Sequence, residues 1–192
     1  MVRTAWIALI FLFIAVTYLF VLNMKDAYKI LPMDSKPFDQ KEDITSDWLD
    51  YQDPSGRFKV KFPVIPQYAQ DVMQKEVRRV YDMYVAETLD GTIFMITLIT
   101  FSKLLESQED LLRKVAQEMQ SSDANNRLRA LKSGLYKGAL SSLDFVIENA
   151  ATTIRTKAIF VEKTMIVLTQ ISRSPQDRGD EFKAFEDSFE IL

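Results

Sequence analysis

Five acidic residues, Asp177, Asp180, Glu181, Glu186 and Asp187, crowd the C-terminal stretch of this chain. A Ca²⁺ or Mg²⁺ site would need several of their oxygens to converge at about 2.0–2.6 Å. Spread around a helix they make a solvated face instead, and no metal is assigned to them. Ser141 and Ser142 lie near Asp144 with Lys137 just upstream, the ingredients of a Ser–Lys dyad. The plainer reading is a pair of loop serines ahead of a strand. Gly134 and Gly138 flank Leu135-Tyr136-Lys137, but the spacing of a phosphate loop and its Lys-Ser/Thr are missing. Cysteine and histidine are both absent, which removes disulfides, thiol nucleophiles, the common zinc sites and every His-based triad. No catalytic residue and no cofactor is assigned. Lys and Arg number 24 against 27 Asp and Glu, a net charge of −3 that does not suggest a nucleic-acid partner. One cationic stripe stands out: Arg57, Lys59 and Lys61 alternate with apolar residues and offer a partner-binding face, for an acidic protein or anionic headgroups. The competing reading is a solvated strand face whose lysines guard a sheet edge.

The elements that must carry these residues follow from periodicity. Asp47 to Tyr51 opens the folded part as a short strand. Asp53-Pro54-Ser55-Gly56 is a turn, with Pro preset at a central position and Gly free to take positive φ. Arg57 to Phe62 then alternates strictly, pointing Phe58, Val60 and Phe62 to one face, until Pro63 and Pro66 end the strand. Val77–Leu89 and Thr92–Phe101 form a second hairpin across Asp90-Gly91. Its second arm is apolar on both faces and belongs at the centre of a sheet covered on both sides. Ser107 and Asp110 resemble a capping box, and Leu111, Leu112, Val115, Ala116 and Met119 recur at helical spacing, predicting a helix from Gln108 to Gln120. A loop over Ser121–Asn126 closes it. Strands follow at Arg127–Tyr136, Leu143–Asn149, Thr152–Val161 and Thr164–Ile171, the last two joined tightly through Glu162-Lys163. Ser174-Pro175-Gln176-Asp177 is a helix start, and Phe182, Phe185 and Phe189 bury the helix that follows. The fold class is α+β: a sandwich with a mostly antiparallel sheet flanked by two helices.

Ahead of this domain, residues 5–22 are apolar and uncharged. As a helix of about 1.5 Å rise per residue they reach about 27 Å, near the thickness of a hydrocarbon core. Trp6 and Tyr18 sit near its ends, at headgroup level. The run exceeds the h-region of a cleaved signal peptide, and no small-x-small pair follows it. The chain is therefore parsed as a head over 1–4, a transmembrane anchor over 5–22, a linker over 23–46 containing Pro32 and Pro37, and a domain over 47–192. Arg3 before the run and Lys25 and Lys29 after it leave orientation undecided by charge. A short head ahead of a long apolar run resembles a signal-anchor, which puts the domain outside the cytoplasm.

Tyr51-Gln52-Asp53-Pro54-Ser55-Gly56-Arg57-Phe58-Lys59-Val60-Lys61-Phe62-Pro63 resembles the opening of PsbP-like domains, where an aromatic, a Gly turn and an alternating F-x-V-x-F/Y-P strand recur. The ending Phe182-x-x-Phe185-x-x-Ser188-Phe189 is similar to the closing helix of that class and of related bacterial envelope proteins. The resemblance spans Trp48 to Leu192. It implies a mainly non-enzymatic domain that binds or stabilises membrane complexes, as in the oxygen-evolving system of photosystem II. A Ran-binding import factor shares the fold, so fold alone names no partner. Bacterial relatives are often lipoproteins, whereas this chain has no cysteine to lipidate. The expectation is a single-pass, extracytoplasmic, non-catalytic module with a protein partner and no nucleic acid or small-molecule substrate. The alternatives are an envelope enzyme using carboxylates or a Ser–Lys dyad, and a protein whose apolar run inserts into another cell's membrane.

Overall fold

The structure is a computed structural model that describes residues 44–74, 76–173 and 178–192. The apolar 5–22 run lies outside them. Among the described residues no helix is long and apolar enough to cross a membrane.

Strands β1 (Leu49–Gln52) and β2 (Phe58–Phe62) pair antiparallel with Tyr51 opposite Val60. The turn between them closes with Gly56 N–H donating to the Asp53 carbonyl at 2.8 Å, and Gly56 takes φ +69°. That left-handed backbone is why a residue without Cβ sits there. This pair does not join the main sheet. With β10 (Glu190–Ile191) it makes a separate three-stranded sheet in the order β1-β2-β10.

Among the described residues the main sheet has seven strands: β3 (Gln67–Met73), β4 (Arg79–Glu87), β5 (Ile93–Phe101), β6 (Arg127–Tyr136), β7 (Leu140–Glu148), β8 (Thr153–Val161) and β9 (Thr164–Ser172). Their order is β3-β4-β5-β9-β8-β7-β6, every neighbouring pair antiparallel. Strand β5, apolar on both faces, is indeed interior. The β4–β5 loop is longer than a two-residue turn, because Glu87 pairs with Ile93. Thr88 N–H donates to the Thr92 carbonyl, and Gly91 takes φ +80°. This is the three-residue loop with a left-handed glycine. Glu162-Lys163 does make the tight β8–β9 connection, with Val161 opposite Thr164.

Helix α1 (Gln108–Ser121) covers one face of the main sheet, with Leu111, Leu112 and Ala116 buried. Its capping arrangement is a variant of the expected box. Ser107 Oγ accepts from the Asp110 N–H at 3.1 Å, while the Ser107 hydroxyl donates to the Asp110 carboxylate at 2.6 Å. Helix α2 (Gly179–Ser188) lies on the other face beside the small sheet, with Arg178 at the capping position and no side-chain cap. The Ser174–Asp177 start signal lies outside the described residues. Phe182 and Phe185 bury from α2 itself. Phe189 is also buried, but from extended backbone just past the helix end, where β10 begins.

Alternation splits the interior in two. Phe94, Ile96, Leu98, Ile159, Ile166 and Leu168 face the small sheet and α2. Phe101, Leu143, Phe145, Ala158, Phe160 and Val167 face α1. The period of two in β5, β8 and β9 thus supplies both cores from the same strands.

Candidate functional site

Two clusters of charged groups stand out among the described residues. In the first, Asp53 directly follows β1 and Asp82 lies mid-β4, and both are buried. The Arg57 guanidinium joins them, donating from Nε to Asp53 Oδ2 at 2.8 Å and from Nη1 to Asp82 Oδ2 at 2.5 Å. Tyr84 Oη donates to Asp53 Oδ1 at 2.5 Å, and Tyr68 Oη and Gln70 Nε2 donate to Asp82 Oδ1 at 2.8 and 2.7 Å. Burial acts to raise both carboxyl pKa values. The bonds from Arg57, with Tyr84 on one carboxylate and Gln70 and Tyr68 on the other, outweigh it, so both lie below the ordinary value of 3.8. The same contacts, the Asp53 bond first, hold Arg57 more firmly charged. Each carboxylate oxygen accepts at least one hydrogen bond. The cluster fastens the small sheet to strands β3 and β4.

In the second, Lys157 on β8 is nearly buried, its side chain 12% exposed, and donates to Asp144 on β7 at 2.7 Å and Glu186 on α2 at 2.8 Å. Burial opposes the ammonium, but the two carboxylates prevail and raise its pKa above the ordinary 10.5. Beside it opens a cleft of about 280 Å³ lined by Leu135, Tyr136, Lys137, Glu186, Asp187 and Phe189. The Tyr136 hydroxyl in its wall donates to the Phe189 carbonyl at 2.9 Å.

The residues singled out in the sequence are dispersed. Ser141 and Ser142 lie within β7 and not in a loop, because that strand starts at Leu140. Among the described residues neither hydroxyl meets a lysine: Asp144 is engaged by Lys157, and Lys137 stacks over the Tyr136 ring at 5.5 Å. Gly134 is a strand residue opposite Ser142, and Gly138 takes φ +75° in the β6–β7 turn. The acidic cluster is divided among partners. Glu186 goes to Lys157, Asp187 to Lys183 at 2.9 Å and Glu181 to Arg178 at 3.6 Å, while Asp177 lies outside the described residues. Among the described residues no three acidic side chains converge as metal ligands do. The basic stripe is split too. Arg57 precedes β2 and is bound as above, Lys59 pairs with Glu190 at 2.7 Å, and Lys61 is half-buried with its N–H on Ser188 Oγ at 3.0 Å.

Both clusters escape sequence reasoning. Asp53 looks like any turn aspartate, and Lys157 like any outward lysine of an alternating strand. A faint signal was Asp82, a carboxylate on the same side of its strand as Tyr84 and Ala86.

No family model matches the chain, and no curated protein matches it. Among solved structures it is similar to the solution structure of cyanobacterial PsbP from Synechocystis sp. PCC 6803. The identity is 12% and the TM-score 0.48, over 81% of this chain and 98% of that one. PsbP-like is also the class that the opening strand and closing helix resemble. A likeness at this level says nothing of activity or partner.

Proposed function

We propose that this chain is a single-pass, membrane-anchored, extracytoplasmic binding or assembly module, non-catalytic, that contacts a protein complex at the membrane. One observation carries the reading: the interior ionisable groups close on one another. Asp53, Asp82 and Arg57 pair with one another, and Lys157 pairs with Asp144 and Glu186. Asp53 and Asp82, held ionised, and Arg57 and Lys157, held charged, are poor acids and bases near neutral pH. Recognition is left to the surface, where Lys59 and Lys61 on β2 offer one contact face. The anchor is supported by the length and apolarity of residues 5–22 and by the aromatics at their ends.

The test is topological and biochemical together. A reporter fused after Leu192 and active only outside the cytoplasm should be active, and the chain should need detergent to leave the membrane. Crosslinking in intact membranes should then trap a discrete protein complex. Recovery in the soluble fraction, or an inactive reporter, would refute the reading.

A further inference from the structure

Strand β6 closes one side of the main sheet: it pairs with β7 and, among the described residues, has no strand on its other side. Eight of its ten residues are exposed, Leu131 and Leu135 among them at 43% and 64%. Such an edge leaves a row of backbone donors and acceptors open to another strand. Its charge is distinctive. No acidic residue occurs between Asp123 and Asp144, while Arg127, Arg129, Lys132 and Lys137 all do, in a chain whose net charge is −3. Arg129 is taken by Glu148 at 2.8 Å. Arg127, Lys132 and Lys137 have no ion-pair partner among the described residues. Glu186 and Asp187, which line the cleft with Lys137, are engaged by Lys157 and Lys183, and Glu190, which feels the Lys137 charge, pairs with Lys59.

Cross-strand register sorts this edge into two faces. Leu131, Ser133 and Leu135 stand opposite Phe145, Leu143 and Ser141, on the α1 side, and Arg113 of α1 reaches Ser133 Oγ at 3.5 Å. Lys132 stands opposite Asp144, on the α2 side. A bulge between Leu128 and Ala130 interrupts the ladder, so the regular part runs from Ala130 to Tyr136. The opposite edge, β3, lacks this character. It carries Asp71 and no cation, and Tyr68 and Gln70 are bound to Asp82.

We infer that β6 accepts an extended acidic protein segment as an added strand, over about seven residues, with acidic side chains alternating with apolar ones. The backbone supplies affinity and the alternation specificity, as in other cases of strand addition. The acids lie alongside Lys132 and between the flanking Arg127 and Lys137, and the apolar residues cover Leu131 and Leu135. A second copy of β6 is a poor occupant because it sets cation against cation. The inference rests on the binding-module reading and gives that reading a surface and a partner chemistry.

The probe is the fluorescent peptide acetyl-(Val-Glu)₄-amide, titrated by anisotropy onto the full chain in non-ionic detergent micelles. Amide hydrogen exchange locates where it binds. Expected are saturable binding, new protection confined to Ala130–Tyr136 and its flanks, and affinity that falls with salt. The double variant R127E/K132E should weaken binding about tenfold or more, as expected for lost charge pairs, with an unchanged far-UV spectrum and melting point. A peptide N-methylated at alternate residues, and a Val-Lys peptide, should not bind. Equal binding of the N-methylated peptide, protection elsewhere, self-association through β6, or absence of binding would each overturn the inference. So would protection of β6 by anionic lipid alone. Those failures leave the membrane reporter and the crosslinked complex untouched, whereas a soluble or cytoplasmic chain that still binds the peptide would sink only the anchored reading.

Discussion

At the scale of single residues, the buried charges should show themselves in stability. Asp82 accepts from Arg57, Tyr68 and Gln70. Asp82→Asn would remove the charge and turn a donor toward a guanidinium. Breaking a buried pair costs several kcal/mol, but Arg57 is a third exposed and keeps Asp53, so a loss of about 1–3 kcal/mol is expected in urea unfolding at pH 7. The pH dependence has a definite sign. Asp53 and Asp82 are held below 3.8, so their stabilisation is complete above that value and disappears as pH falls through the lower folded-state pKa values. Glu181 works in the opposite direction, its pKa raised above 4.5 by burial and by Asp90 against the pull of Arg178. The comparison that isolates the cluster is the difference between parent and Asp82→Asn, which should shrink between pH 5 and pH 2. A constant difference would place the effect in packing alone. Lys157→Met leaves Asp144 and Glu186 facing each other without an ammonium. Both are partly exposed, so about 1–3 kcal/mol is again expected in urea unfolding at pH 7.

At the scale of elements, α2 and the β4–β5 loop carry the clearest expectations. Phe185 is fully buried and packs against Phe62 and Phe94 at 5.3 and 5.4 Å between ring centroids, with Trp48 at 6.4 Å. Phe185→Ala should cost about 3–5 kcal/mol, read from the denaturation midpoint. Gly91→Ala has open space around its Cβ but would force φ +80° on an alanine, a loss of about 1 kcal/mol with little change in spectrum. Strand β2, helix α1 and strands β7 and β8, each with one face more buried than the other, match their periodicity within a few residues. Strands β6 and β9 are placed as closely although β6 is mostly exposed and β9 mostly buried, because their residues keep a strand pattern between clear turns. Strand β3 was missed because Gln67–Met73 mixes polar and apolar residues on both faces and follows Pro63 and Pro66. Strand β10 was missed because two residues are too short for a period, and the Phe189 preceding it fits a helical spacing as well as a strand. Sheet membership was illegible for another reason. Alternation identifies a strand's buried face but not the sheet that face meets, and the β1–β2 pair packs on the main sheet instead of extending it. The ion clusters stayed hidden because they join residues far apart in sequence, such as Arg57 with Asp82 and Lys157 with Glu186.

At the scale of the molecule, the seven-stranded sheet is a shared wall between two cores. Strands β5, β8 and β9 send alternate residues to each side: Leu168 to one and Val167 to the other, Ile159 to one and Phe160 to the other. Removing material from either core therefore strains backbone that the other depends on, and both should unfold in one transition. Trp48 reports on the small-sheet side, edge-on to Phe94 at 5.1 Å. Leu112, 2% exposed, sits on the far side under α1. In a Trp6→Phe background, Trp48 is the sole tryptophan, and its fluorescence can be followed beside far-UV circular dichroism through urea unfolding of the full chain in micelles. The two curves should coincide. Leu112→Ala should move both midpoints together by an amount worth about 2–5 kcal/mol, although it touches nothing near Trp48. Were the dichroism midpoint to fall while Trp48 held its own, the two cores would be independent folding units and the sheet only a partition between them.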